Sequence, residues 1–90
     1  MNKILILTTE GCEACNIAKT NVESAVTDFN KKVFIEIKDW HDIKLEFIRK
    51  EHISDFPTVL YMINEKIVHK STGTYPSAVY YRWMDMYFKK

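Results

Sequence analysis

Glycine and proline are scarce in this chain: two of each in 90 residues, alongside only two cysteines. So few chain breakers leave no linker, repeat or low-complexity segment, and residues 1–90 fit one small domain. A dominant sign of charge is lacking as well. Thirteen Lys and Arg against 12 Asp and Glu give a net +1, which implies no polyanion and hence no nucleic-acid partner. The basic pairs Lys31–Lys32 and Lys89–Lys90 are too short for a nucleic-acid groove and are expected at solvated ends of elements. Long apolar runs are missing too. Ile4-Leu5-Ile6-Leu7 is too short for a signal peptide, and no stretch approaches transmembrane length. The expectation is a cytoplasmic protein with no membrane partner. There a local cysteine pair is more often catalytic or metal-binding than a permanent staple.

What is present is ordinary globular material, 47% hydrophobic and 28% charged. Lys3–Thr8 is a short, β-branched-rich apolar run and is expected to be a buried strand. From Cys12 the period changes. Cys15, Ala18, Val22, Ala25 and Phe29 step by three and four, which places them on one helical face. Val33–Ile37 is a second strand. Asp39-Trp40-His41-Asp42 supplies a turn and cap before a short helix over Ile43–Lys50. Val59–Ile63 and Lys66–Lys70 are strands joined by an Asn64-Glu65 hairpin turn. Gly73 breaks the last strand, and Pro76 suits the first turn of a final helix. Val79, Trp83 and Met86 or Tyr87 mark that helix's inner face. The order β-α-β-α-β-β-α predicts an α/β fold, a mixed four-stranded sheet with helices on both faces.

Cys12-Glu13-Ala14-Cys15 follows the first strand and opens the first helix. Cysteines at i and i+3 on a helical turn are close enough to bridge. The first sits where free N–H groups and the positive end of the helix dipole favour a thiolate. A free thiol of pKa about 8.5 is only slightly ionised at neutral pH, and this location raises that fraction. Cys12 is then the nucleophile toward a disulfide, and Cys15, deeper in the helix, the resolving thiol. Glu10 and Glu13 flank Cys12 and oppose its ionisation, so a moderately lowered pKa and a reducing pair are expected. An inert disulfide and half of a zinc site are the alternatives. Zinc usually takes four ligands, and His41, His52 and His69 are not paired at ligand spacing.

With these elements in place, the chain resembles the thioredoxin-fold family over nearly its whole length. Cys12-Glu13-Ala14-Cys15 is similar to that family's active-site C-x-x-C. Phe56-Pro57-Thr58-Val59-Leu60 resembles its cis-proline segment, and Lys66-Ile67-Val68 with Gly73 resembles the strand and glycine that follow. The resemblance implies a minimal thioredoxin fold without the first strand and helix of full-length members. It implies a protein-disulfide oxidoreductase with catalytic Cys12 and Cys15 and a substrate groove shaped by Gly11, Phe56, Pro57, Thr58 and Gly73. The Phe56–Pro57 bond would be cis, and the Phe56 backbone would pair with an extended substrate segment. No metal or organic cofactor is required. The implied partners are a disulfide-containing protein or glutathione, and a reductase as electron donor, with the chain a monomer.

The departures are specific. Gly11 stands where thioredoxins usually carry Trp, removing a flat apolar contact, and Ile6 stands where they place a buried Asp. Glutaredoxins typically carry Pro-Tyr between the cysteines and a Gly-Gly pair later, of which only Gly73 is left. Lys3, Thr58 and Thr74 are the remaining polar candidates for a glutathione site. Glu36 and Lys38 could relay protons in place of the missing Asp, although a solvated strand face accounts for them more simply. Two other readings stand beside the enzyme: a non-catalytic binding module of the same fold, and a glutathione-dependent glutaredoxin able to bridge an iron–sulfur cluster. The aromatic stretch Val79–Phe88 is a core face with amphipathic tyrosines, or an interaction surface.

Overall fold

The N-terminal apolar run becomes a central strand of the sheet. The computed structural model describes residues 1–88; Lys89 and Lys90, one of the two basic pairs, lie outside the described residues. Strand β1 (Asn2–Thr8) is followed by helix α1 (Glu13–Asp28), β2 (Val33–Asp39), a single 3-10 turn (Trp40–Asp42) and helix α2 (Leu45–Lys50). Strands β3 (Thr58–Ile63) and β4 (Lys66–Thr72) and helix α3 (Ser77–Phe88) complete it. The sheet order is β2-β1-β3-β4, with β1 parallel to β2 and antiparallel to β3, and β3 antiparallel to β4.

Both faces of β1 are covered, so its sequence is a continuous apolar run rather than an alternation. Ile4 and Ile6 pair in register with Tyr61 and Val59 and face α1 and α3. Leu5 and Leu7, the alternate residues, face the side closed by Ile43, Phe47 and Ile48 around α2. The helical face expected for α1 is the buried one: Cys15, Ala18, Val22 and Ala25 are buried, and Phe29 follows at its C-cap.

Helix α3 turns differently from expectation. Its fully buried residues are Tyr80, Met84 and Phe88. Val79, Trp83 and Tyr87 are half-buried flanks, and Met86 is 55% exposed. The aromatic residues cover one broad side of the helix, opposite the exposed Ala78, Arg82, Asp85 and Met86, and the expected residues Val79, Trp83 and Tyr87 lie at the edge of that side rather than at its centre. Packing chose Tyr80 because its hydroxyl finds partners on burial, donating to the Gly73 carbonyl (3.4 Å) and accepting from the Tyr75 N–H (3.3 Å).

The Asn64-Glu65 hairpin has φ of 48° and 70°, the left-handed pair whose twist matches that of the flanking strands. A bulge shifts the β3–β4 register, pairing Tyr61 with His69 and Met62 with Ile67. It brings His69 to the α3 side, where its ring stacks on Tyr87 (4.8 Å between centroids). The His69 Nε2 is buried with no partner among the described residues, and burial holds its pKa below the ordinary value of 6.5.

Candidate active site

The C-terminal ends of β1 and β2 and the start of β3 lie at one end of the sheet, since Thr8 pairs with Asp39 and Leu7 with Thr58. From there the chain turns into α1 through Gly11, whose φ is +70°. A Cβ built on Gly11 would meet nothing within 4 Å, so glycine is favoured there by conformation, not by space. Cys12 follows in extended geometry as the N-cap of α1.

Its Sγ accepts the Cys15 N–H at 3.0 Å. This is a cap made by sulfur: one of the N–H groups that a helix leaves without a partner is aimed at the atom that would carry the thiolate charge. The two cysteines form a disulfide, with Cα atoms 5.2 Å apart. Their exposure is unequal. Cys12 is partly open to solvent, whereas Cys15 is 3% exposed. An open depression of about 360 Å³ adjoins the pair on the β2 side, where Thr8, Asn16, Lys19 and Ile37 contribute to its walls.

The other residues singled out in the sequence gather at the same end, with exceptions. The Phe56–Pro57 peptide is cis. The Pro57 carbonyl accepts the Gly73 N–H at 2.9 Å. Gly73 has a φ of +94°, and the next residue, Thr74, donates its hydroxyl to the Ala14 carbonyl between the cysteines (3.1 Å). Asn21 Nδ2 donates to the Tyr75 carbonyl at 2.9 Å. The loop before α3 is thereby fastened to α1 at two points. The Phe56 N–H and C=O make no hydrogen bond among the described residues.

Three polar candidates for a glutathione site are otherwise occupied. Thr58 is buried, and its hydroxyl donates to the Asp55 carbonyl at 2.7 Å. The Thr74 hydroxyl is held by Ala14. Lys3 lies near the opposite end of β1, about 16 Å from Thr8 along a strand rising about 3.3 Å per residue, and it pairs with Glu36 at 3.0 Å. Glu36 and Lys38 lie on a solvated strand face, the simpler of the two readings given for them. Both line the groove on the α2 side with Lys3 and Leu5, whereas Ile37 points to the cysteines. Glu36 is held below the usual carboxylate range, first by its hydrogen bond from Lys3, against an opposing effect of burial.

Trp40 was missed. It follows β2 directly, and its ring stacks near that of Phe56 (6.3 Å between centroids, 28° between planes). The two residues leave the ends of β2 and β3, the strands on either side of β1, and so bracket the point where the Cys12 loop begins. Asp39 holds this turn. Its carboxylate accepts the His41 N–H at 2.9 Å and contacts the His41 ring Nδ1 at 2.7 Å, and the backbone hydrogen bond is the chief cause that lowers its pKa. A lone aromatic among the charges of Asp39-Trp40-His41-Asp42 was the only sequence signal for it.

No protein-family model matches the chain, and no curated protein is similar to it in sequence. Solved structures are similar. Thioredoxin-2 of a malaria parasite, described as a component of that parasite's protein secretion machinery, superposes with a TM-score of 0.80. It covers 97% of this chain and 84% of its own, at 15% identity. The chain has the thioredoxin fold. Thioredoxin 1 from the thermophilic eubacterium Thermosipho africanus agrees at a TM-score of 0.74, covering 97% of this chain and 94% of its own at 15% identity. A second malarial protein reaches 0.69 over 87% of this chain and 86% of its own, at 17% identity. At such identities the likeness is one of fold. Within this thioredoxin fold, the Cys12–Cys15 pair occupies the start of the helix that follows the central strand β1. No helix among the described residues is long and apolar enough to cross a membrane.

Proposed function

We propose that this protein is a thiol–disulfide oxidoreductase that reduces disulfides of protein segments through Cys12 and Cys15. The observation that carries the reading is the unequal pair: an accessible Cys12 whose sulfur caps α1, above a buried Cys15. In the dithiol form the Cys12 thiolate attacks one sulfur of a substrate disulfide. A Cys12–substrate disulfide forms, and the other substrate sulfur leaves as a thiolate. Cys15, deprotonated, then attacks Cys12 Sγ, closing the Cys12–Cys15 disulfide and releasing the second substrate thiolate. Two electrons pass to the substrate, and an external dithiol donor restores the pair. Glu10 and Glu13 flank the nucleophile and keep the couple reducing.

Protein segments are favoured over glutathione because Lys3 is remote and the Thr58 and Thr74 hydroxyls are engaged. The open Phe56 N–H and C=O, with Pro57 beside them, can receive an extended backbone as an added strand. The test is a Cys15→Ser variant mixed with a disulfide-linked peptide. A mixed disulfide should accumulate on Cys12, and Cys12→Ser should form none. No adduct on Cys12 would favour a docking module that keeps the fold without the chemistry. A measured reduction potential should lie well below about −120 mV, the strongly oxidising extreme; a value at that extreme would contradict a reducing role.

A further inference from the structure

The reactive end of the molecule has a charge that the rest lacks. Segments 9–13, 39–42, 54–57 and 73–76 make up that end, and they contain Glu10, Glu13, Asp39, Asp42 and Asp55 but no lysine or arginine. Glu10, Glu13, Asp42 and Asp55 are exposed, and Asp39 is half-buried and tied to His41. Since the whole chain carries +1, the positive surplus lies elsewhere. Cations border this rim: Lys19, nearly two turns into α1, on the wall of the depression beside the cysteine pair, and Lys38 and Lys44 along the groove on the α2 side, with Glu36 and Asp42.

Within the rim lies the half-buried pair Trp40 and Phe56. An aromatic surface is therefore present although Gly11 provides none, with the His41 ring packed on Trp40 at 4.0 Å between centroids beside Phe56. It comes from the end of β2 rather than from the residue before the first cysteine. A planar cation suits this combination. Arginine stacks on aromatic faces and binds carboxylates through two parallel N–H groups, and lysine does part of the same. Apolar rings alone would accept many side chains; a ring of carboxylates around them disfavours acidic ones.

We propose that the substrate segment is basic: an extended stretch of a protein carrying arginine or lysine beside the half-cystine that Cys12 attacks. The proposal rests on the redox reading above. The Trp40–Phe56 surface takes the stem or guanidinium of the flanking residue, the acidic rim draws it in, and the Phe56 backbone pairs with the segment. The exchange is the two-electron transfer already written, so no further reactant enters.

The test uses the full chain reduced with dithiothreitol, freed of excess reductant, in single turnover. Three peptides of equal length, each with one disulfide, carry arginine, serine or glutamate beside the cysteines. Near 0.01 M salt the Debye length is about 30 Å, and at 1 M about 3 Å, against a longest molecular extent of 33 Å. The arginine peptide should react at least about tenfold faster than the glutamate peptide at low salt, within the range of electrostatic steering. That ratio should fall toward one at high salt. Combining Glu10→Gln, Asp42→Asn and Asp55→Asn should shrink the low-salt ratio. Trp40→Phe should retain more of the preference than Trp40→Ala. Equal low-salt rates for the three peptides, or a faster glutamate peptide, would overturn the basic-segment proposal and leave the redox reading standing. Reduction of none of them would overturn the redox reading, and the proposal with it.

Discussion

On one face of the sheet, α1 and α3 pack with the strands into a cluster of 11 buried residues among the described ones, including Tyr61, Tyr80 and Phe88. On the other, the six-residue α2 contributes no buried residue, and the core there is Leu5, Leu7, Ile53, Leu60 and Met62. The two faces share the same strands, so the difference comes from what covers them. A helix of 16 residues offers four turns to bury, whereas α2 has fewer than two. The thick face buries the larger set of apolar side chains. The thin face leaves open grooves and holds the Trp40–Phe56 pair at its reactive end.

Four experiments would break or sharpen this contrast. The largest expected effect is on core truncation. Ile6→Ala, on the thick face at 0% exposed, should cost about 4 kcal/mol, and Met62→Ala, on the thin face at 7%, about 2 kcal/mol, both by denaturant unfolding. Equal or reversed costs would mean that the thin face carries as much stability as the thick one. Next, amide hydrogen exchange should show α2 opening well before α1, because few buried apolar contacts hold it. If α2 and α1 exchange together, at the free energy of global unfolding, the faces form one cooperative unit.

The third concerns pH on the thick face. His69 has a depressed pKa when folded, so the unfolded chain binds its proton more readily. Stability from neutral His69 is fully present above about 6.5 and is lost as pH falls below that value. His69→Phe keeps a ring against Tyr87 and should flatten the melting temperature between pH 7 and pH 5, relative to the parent chain; an unchanged slope would remove His69 from the explanation. The smallest effect is at the hairpin shared by both faces. Glu65 sits at φ 70°, where a side chain costs about 1 kcal/mol. Glu65→Gly should raise stability by about 0.5–1 kcal/mol, after the added freedom of the unfolded chain is offset.

The thick face was the more legible in the sequence, apart from one rotation. The step from Cys15 to Phe29 gave α1 correctly because its outer side is small or polar except for the exposed Ile17. Helix α3 is rotated from the expectation because Val79, Trp83 and Tyr87 mark only the edge of its aromatic side; the centre of that side, Tyr80, Met84 and Phe88, is what goes in, with the Tyr80 hydroxyl satisfied on burial. The cysteine pair and the proline segment were visible as local patterns. Trp40 was not, because its place beside Phe56 arises from two strands paired with β1 and not from spacing along the chain. Thr74 was noticed for the wrong reason. Its hydroxyl was a candidate contact for a small molecule, and the fold uses it on Ala14 instead.

That last contact joins residues 60 positions apart. A growing chain that ended at residue 70 would already contain both cysteines and all of α1, yet the carbonyl between them would lack its partner. The hold on the spacer between the cysteines thus arrives only once the chain extends past residue 74: a fragment confined to the first strand and helix would carry the motif without it.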